Sequence, residues 1–316
     1  DGLGLEISTG TALSSVVADL VGGAGDGPTI LLRGDMDALP MPEDTGLDFA
    51  SVVDGAMHAC GHDAHTAMLV GAATVLAGRR DRLAGRVRFM FQPGEEGFGG
   101  ATDMIDEGVL DGVDAAFALH VAPNMFSDFV IHRSGAALAS ADVVKVVVTG
   151  RGGHASSPHW ATDPVPVACE IVLALQSMIT RTVNAFDPAV LTIAQLDAGT
   201  TDNVIPESAA LTGTLRAVSE HTRHAVWASI DQVAQGVAAA HGCTATVEIV
   251  EGYPVTVNDA AFTRWASGVA AEVVGADHVV EMPSPVMGAE DFSYVLREVP
   301  GAMFFLGVCP PENPNP

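Results

Sequence analysis

The chain has 316 residues, more than one compact core usually organises, so two domains with sizeable apolar interiors are expected. Apolar residues make up 48% and charged residues 17%, which excludes disorder and low-complexity architecture. Fourteen Lys+Arg against 39 Asp+Glu leave a formal charge of -25, which repels phosphate backbones and anionic lipid surfaces and so disfavours nucleic-acid and membrane partners.

The first elements expected in chain order are a strand at 29–33 (TILLR), an Ala-rich helix at 64–77 and a strand at 86–91 (RVRFMF). A helix around 101–107 and a strand at 114–119 (DAAFAL) follow. Alternating strand and helix implies an α/β fold: a mostly parallel sheet with helices on both faces, whose ligands collect beyond the carboxyl ends of the strands. Each of those ends carries ionisable groups: Asp35 and Asp37 after the first, Glu95 and Glu96 after the second, His120 after the third.

From about 138 the rhythm changes to strand 142–149, helix 164–181, strands 190–197 and 209–217, helix 220–241 and strand 244–250. That βαββαβ order is the ferredoxin-like arrangement, an α+β domain with one sheet face or edge free for a second subunit. The parallel pattern resumes with helix 260–274, short helix 290–298 and strand 302–307. The chain therefore divides into a catalytic domain, 1–137 with 252–316, and an inserted dimerisation or lid domain, 138–251; a homodimer is expected. No apolar run is expected to reach the roughly 18 residues that span a bilayer, and no basic-then-apolar leader opens the chain. Cys60, Cys169, Cys243 and Cys309 form no CxxC pair, which fits a reducing, cytoplasmic setting.

The densest constellation is His58-Ala59-Cys60-Gly61-His62-Asp63-Ala64-His65. Cys60 and His62, two apart in an extended loop, point to one side and suit a metal; the alternative is a helix start with incidental histidines. Glu95 and Glu96 share a tight turn between Gly94 and Gly97. Adjacent carboxylates repel, so one has its pKa raised unless a cation neutralises the pair. One glutamate could ligate a metal while the other takes a proton from a metal-activated water; two solvated surface acids are the bland alternative. His120 is a ligand or a satisfied core histidine. Asp35 and Asp37 could ligate a metal or orient a ligating imidazole from behind, and Asp63 is a candidate for that second role. His154 stands in a glycine-rich loop suited to approaching a ligand, and Asn203 and Arg216 carry donors that match a substrate carboxylate.

Assembled, the segments RGDMDALP (33–40), MHACGHDAHTAML (57–69), FQPGEEGFGGA (91–101), ALHV (118–121), GRGGHASSPH (150–159), NVIP (203–206), GTLR (213–216) and MGAEDFSY (287–294) are informative together. With them the sequence resembles the metal-dependent amidohydrolases typified by hippurate hydrolase and the plant auxin-conjugate hydrolases, in the aminoacylase and carboxypeptidase superfamily. The resemblance implies that Cys60, His62, Glu96 and His120 bind two divalent ions, Mn2+, Zn2+ or Co2+, and that Glu95 is the general base. It implies that His154 reaches the active site of a neighbouring subunit. The implied reaction is hydrolysis of the amide bond of an N-acyl amino acid or related conjugate by metal-bound water. Members carry a further metal-binding histidine after the strand corresponding to 302–307, and an N-terminal helix and strand, so the resemblance implies a piece of a longer enzyme. Two other readings stand beside this one: an amidase using Cys60 as nucleophile, and a non-catalytic metal- or ligand-binding relative.

Overall fold

The computed structural model describes residues 2–313 and divides into two units. The first comprises the chain up to Ala137, Thr256–Ser284 and the segment from Glu290 onward. Its eight-stranded sheet runs in the order Glu6–Thr9, Val16–Val21, Arg86–Gln92, Thr29–Asp35, Ala115–Phe126, Gly301–Cys309, Val130–His132 and Val279–Glu281. The four central strands are mutually parallel, so their carboxyl ends share one rim.

Four of these strands lie outside the sequence expectation. Glu6–Thr9 is exposed throughout and shows no inside–outside alternation, while Val130–His132 and Val279–Glu281 are three residues each, below the length at which periodicity can be read. Val16–Val21 pairs antiparallel with Glu6–Thr9 and with Arg86–Gln92, so the sheet is parallel at its centre and antiparallel towards this edge. The strand expected to stop at 119 continues to Phe126, with His120 inside it. Gly301–Cys309 supplies the ladder that carries it on, pairing Phe305 with His120 and Cys309 with Phe126. The helix expected at 290–298 spans Phe292–Glu298.

The helix His62–Ala77 buries His62, His65, Leu69 and Ala73, spaced three and four apart and therefore on one face. Leu69 and Ala73 pack with Ala18, Leu20 and Phe89 of the sheet, so the stripe that anchors the helix also carries its two first-turn histidines inward at the rim. Gly61 enters this helix at φ 89°, and a Cβ there would collide with Val121.

The second unit comprises Leu138–Val255 and Pro285–Ala289. The four strands of its main sheet, in the order Ala189–Ala198, Ser208–Ala217, Asp142–Thr149, Thr244–Glu251, are all antiparallel. Asp142–Thr149 alternates strictly between buried and exposed, sending Val144, Val146 and Val148 under the helices Pro164–Thr182 and Glu220–Ala240 and Val143, Lys145 and Val147 to the opposite face. Each fully buried Val, Leu or Ile in such a layer contributes roughly 1.5–3 kcal/mol. Asp163, ahead of Pro164, and Ser219 cap the two helices by accepting from Val165 N and Thr222 N.

The expectation about bilayer-length runs needs correcting. Pro164–Thr182 has 19 residues and a mean hydropathy of 1.2, enough to cross a membrane by length and composition. Its apolarity serves the layered fold, because Val167, Ile171, Leu175 and Met178 lie against the sheet.

Gly61→Ala is expected to cost about 2–5 kcal/mol, combining a left-handed backbone with overpacking against Val121. An unfolding free energy within a few tenths of a kcal/mol of the native protein's would contradict this.

Candidate metal centre

The first strand of the site ends in Arg33-Gly34-Asp35, and its ladder continues one step past the end, where Met36 N donates to Gln92 O at 2.7 Å. The loop that follows is closed by an antiparallel bridge between Leu39 and Met57, which donate to one another's carbonyls at 2.9 and 3.0 Å. That bridge returns the chain to the rim, so that Cys60 and His62 stand over Asp35 and Asp37. Glu95 and Glu96 come from the turn after Arg86–Gln92, with Gly94 at φ 73° and Gly97 at φ 91°. His120 projects from Ala115–Phe126.

Ligand-type atoms of Cys60, His62 and His120 lie within 4.8 Å of one another, as do those of His62, Glu95 and Glu96. His62 belongs to both groups. Its Nδ1 lies 3.2 Å from Asp37 Oδ1 and 3.0 Å from Asp37 O, acceptors that require Nδ1 to carry the proton. Nε2 is thereby turned to the cluster; it is buried, lies 3.5 Å from Asp35 Oδ2 and has no hydrogen-bond partner among the described residues. An orphaned imidazole nitrogen beside a thiol, a second imidazole and two carboxylates is the donor set of a transition-metal site, so these residues fit the ions implied by the sequence. Asp37 also accepts from Glu96 N at 2.9 Å, tying the His62 helix to the glutamate turn. His120 Nδ1 donates to Val121 O at 2.7 Å, which leaves its Nε2 facing Cys60 Sγ at 3.4 Å.

Electrostatics follow from burial. Glu95 is 7% exposed; burial, reinforced by the charges of Asp291 and Glu96 against an opposing Arg33, pushes its carboxyl up to about 8. Burial works against a charged His62, but its bond to Asp37, its contact with Cys60 and the charge of Asp35 outweigh it and lift the imidazole to about 11. Burial and neighbouring His65 push His120 down to about 4, so it is neutral at pH 7. His62 favours the thiolate of Cys60, but burial and the charges of Glu96 and Glu95 prevail and hold the thiol above its ordinary value. An activated nucleophilic cysteine needs the reverse.

Beneath this cluster lies a network that the sequence did not announce. Arg33, 4% exposed, bonds through Nη1 to Asp35 at 2.6 Å, and through Nη2 to Glu290 at 2.8 Å and Asp291 at 3.1 Å. Asp35 Oδ1 accepts from His65 Nδ1 at 2.6 Å, and His65 Nε2 accepts from Val121 N at 2.8 Å. Arg33 and His65 hold Asp35 well below the usual carboxylate range in spite of its burial. His65, Arg33, Gln92, Glu290 and Asp291 were not singled out as site residues; only their place in RGDMDALP, HDAH, FQPGEE and GAEDF marked them. Asp63, expected to steady an imidazole, is exposed on the first helical turn, and the buried partner of Asp35 is His65 instead.

The remaining candidates belong to the second unit. His154 and Asn203 come together there: His154 pairs with Val204 in a short antiparallel ladder, and Ala155 N donates to Asn203 O at 3.0 Å. His154 is exposed, and its Nδ1 accepts from Ser156 N at 3.2 Å. Arg216, on Ser208–Ala217, alternates with the buried Leu215 and Ala217 and so lies on the sheet face opposite the helices.

Comparison with known proteins is consistent with this arrangement. The chain is 41% identical to an N-acetylcysteine deacetylase of Bacillus subtilis over 294 residues, covering 93% of this chain and 76% of that protein. It is 39% identical to an IAA-amino acid hydrolase, ILR1-like 4, of Arabidopsis thaliana over 310 residues, covering 97% and 70%. A Bacillus subtilis crystal structure described as a dinuclear metal-binding peptidase of the M20 family superposes with a TM-score of 0.84 at 37% identity, covering 96% of this chain and 79% of the other. The model of the peptidase family M20/M25/M40 matches residues 31–316, and the chain belongs to that family.

Proposed function

We propose that the protein hydrolyses the amide bond of N-acyl amino acids or related amide conjugates in a metal-dependent reaction. The observation that carries this reading is His62 Nε2, buried, without a hydrogen-bond partner among the described residues and converging with Cys60, His120 and the Glu95–Glu96 pair. Relatives described as an N-acetylcysteine deacetylase, an IAA-amino acid hydrolase and a dinuclear metal-binding peptidase support it from the substrate side.

Cys60, His62, Glu96 and His120 would hold a pair of divalent ions; mixed thiolate, imidazole and carboxylate donors suit zinc, manganese or cobalt. When bound, the ions supply positive charge that acidifies water and polarises a carbonyl. Asp37 keeps His62 in the tautomer that presents Nε2. Glu95 is the general base: a carboxyl with proton affinity near neutrality can take a proton from the attacking water and return it to the departing amine. In this reading the second unit is the lid and dimerisation domain, and Asn203 and Arg216 meet the substrate carboxylate. His154 acts on the scissile carbonyl of a neighbouring subunit. An exposed imidazole whose Nδ1 already accepts from Ser156 keeps Nε2 for such a contact.

Chelation should abolish turnover of N-acetyl and N-benzoyl amino acids, and manganese or zinc should restore it; activity that survives exhaustive chelation would defeat the proposal. Glu95→Gln should lower kcat by about 10²–10⁴-fold with bound metal unchanged. Loss of metal from that variant would instead make Glu95 a ligand. At pH 7 metal-free His62 and Glu95, at about 11 and about 8, both hold protons, and a ligating imidazole must be neutral. Metal uptake should therefore release protons at pH 7, with the Glu95 share fading as pH rises past 8. Calorimetric titration in buffers of different ionisation enthalpy reads this directly, and a heat independent of buffer would refute it.

A further inference from the structure

The turn that carries Glu95 and Glu96 is a closed loop whose two ends meet. Its first residue follows Gln92 at the end of a central strand, and its last precedes Ala101 in the helix Gly100–Asp106. A Cβ on Gly100 would run into the carbonyl of Pro93, so the two strands of the loop base lie in backbone contact. Gly100 N donates to Gly94 O at 3.1 Å across the same base.

One side chain from a distant part of the chain grips both ends. Asp291 Oδ1 and Oδ2 accept from Gln92 Nε2 at 2.8 and 2.7 Å, and Asp291 Oδ2 also accepts from Ala101 N at 3.0 Å. Asp291 and Gln92 are both fully buried. Gln92 is fixed from its other end, since its Oε1 accepts from Arg33 Nε at 2.9 Å. Arg33 in turn holds Asp291 and Glu290 through Nη2. Both carboxylate oxygens of Asp291 and both polar atoms of the Gln92 amide are thus bonded, which makes the loop base a rigid support for the two glutamates at its tip.

We infer that Asp291 is a positioning residue for the general base: by stapling Gln92 to Ala101 it fixes the loop 93–100 and hence the placement of the Glu95 carboxyl. The inference rests on the assignment of Glu95 as base. A misplacement of about 1 Å in a catalytic group is enough to cost on the order of 10²-fold in rate.

The test compares Asp291→Asn, Gln92→Met, Glu95→Gln and the double variant Asp291→Asn/Glu95→Gln in the metal-loaded protein with an N-acetyl amino acid. Asparagine offers one acceptor where the carboxylate offers two, and methionine cannot donate to Asp291 at all. Expected for Asp291→Asn and Gln92→Met are kcat values lower by about 10–100-fold, KM within twofold, and unchanged metal stoichiometry. The amides of 97–101 should also exchange with deuterium faster than in the native protein. The double variant should be no slower than Glu95→Gln alone, because a residue acting through Glu95 has nothing left to position. Native kcat in both single clamp variants, or a double variant slower by the full product of the single effects, would overturn the inference while Glu95 kept its role. Full turnover in Glu95→Gln would overturn the base assignment itself. Should Asp291→Asn fail to fold, Gln92→Met, which leaves every charge in place, carries the same comparison.

Discussion

The architecture of the site depends on one guanidinium buried beneath a set of carboxylates. Arg33 touches Asp35, Glu290 and Asp291, all with side chains at most 3% exposed. Burying such ions costs several kcal/mol each, and breaking such a cluster by removing one partner costs about 3–5 kcal/mol. The cluster persists because every guanidinium nitrogen is engaged: Nε on Gln92, Nη1 on Asp35, Nη2 on the other two. Yet one positive charge cannot neutralise three negative ones with Glu95 close by. The residue of that imbalance appears as proton affinity: burial pushes Glu290 well above the carboxylate range and Glu95 to about 8. A rim so charged holds protons or metal ions, and a hydrolytic centre can exchange the one for the other.

The same network sets geometry. From Arg33 it runs through Asp35 and His65 to Val121 N, next to His120, and through Gln92 and Asp291 to the glutamate loop. Asp37 adds a second route, from His62 to Glu96 N. Five chain segments far apart in sequence are thereby registered against one another by hydrogen bonds between side chains and backbone. Parallel strands place those segments on one rim, and hydrogen bonds then hold them there.

Ligand chemistry was legible in the chain. Cys60, His62, Glu95, Glu96 and His120 are residue types with few bland uses at such density, and each follows an apolar run readable as a buried strand or precedes one readable as a helix. Cores with strict periodicity were equally open: Val144, Val146 and Val148 alternate, and Val167, Ile171 and Leu175 recur at helical spacing. Glu6–Thr9 and the three-residue strands escaped, since they owe their existence to a neighbouring edge and not to their own side chains.

What the sequence by itself determined is therefore an inventory: which groups are available, in what order, and on which kind of element each sits. Local propensity and hydrophobic period act over a few residues, and that is the range over which they can be read. Only the tertiary structure decided the partnerships. Arg33 meets Glu290 across 257 residues, Gln92 meets Asp291 across 199, and His62 ends with Nδ1 bound to Asp37 and Nε2 buried without a hydrogen bond among the described residues. Those choices come from where folding brings distant segments and from the cost of leaving a buried charge alone, neither of which is encoded in spacing along the chain.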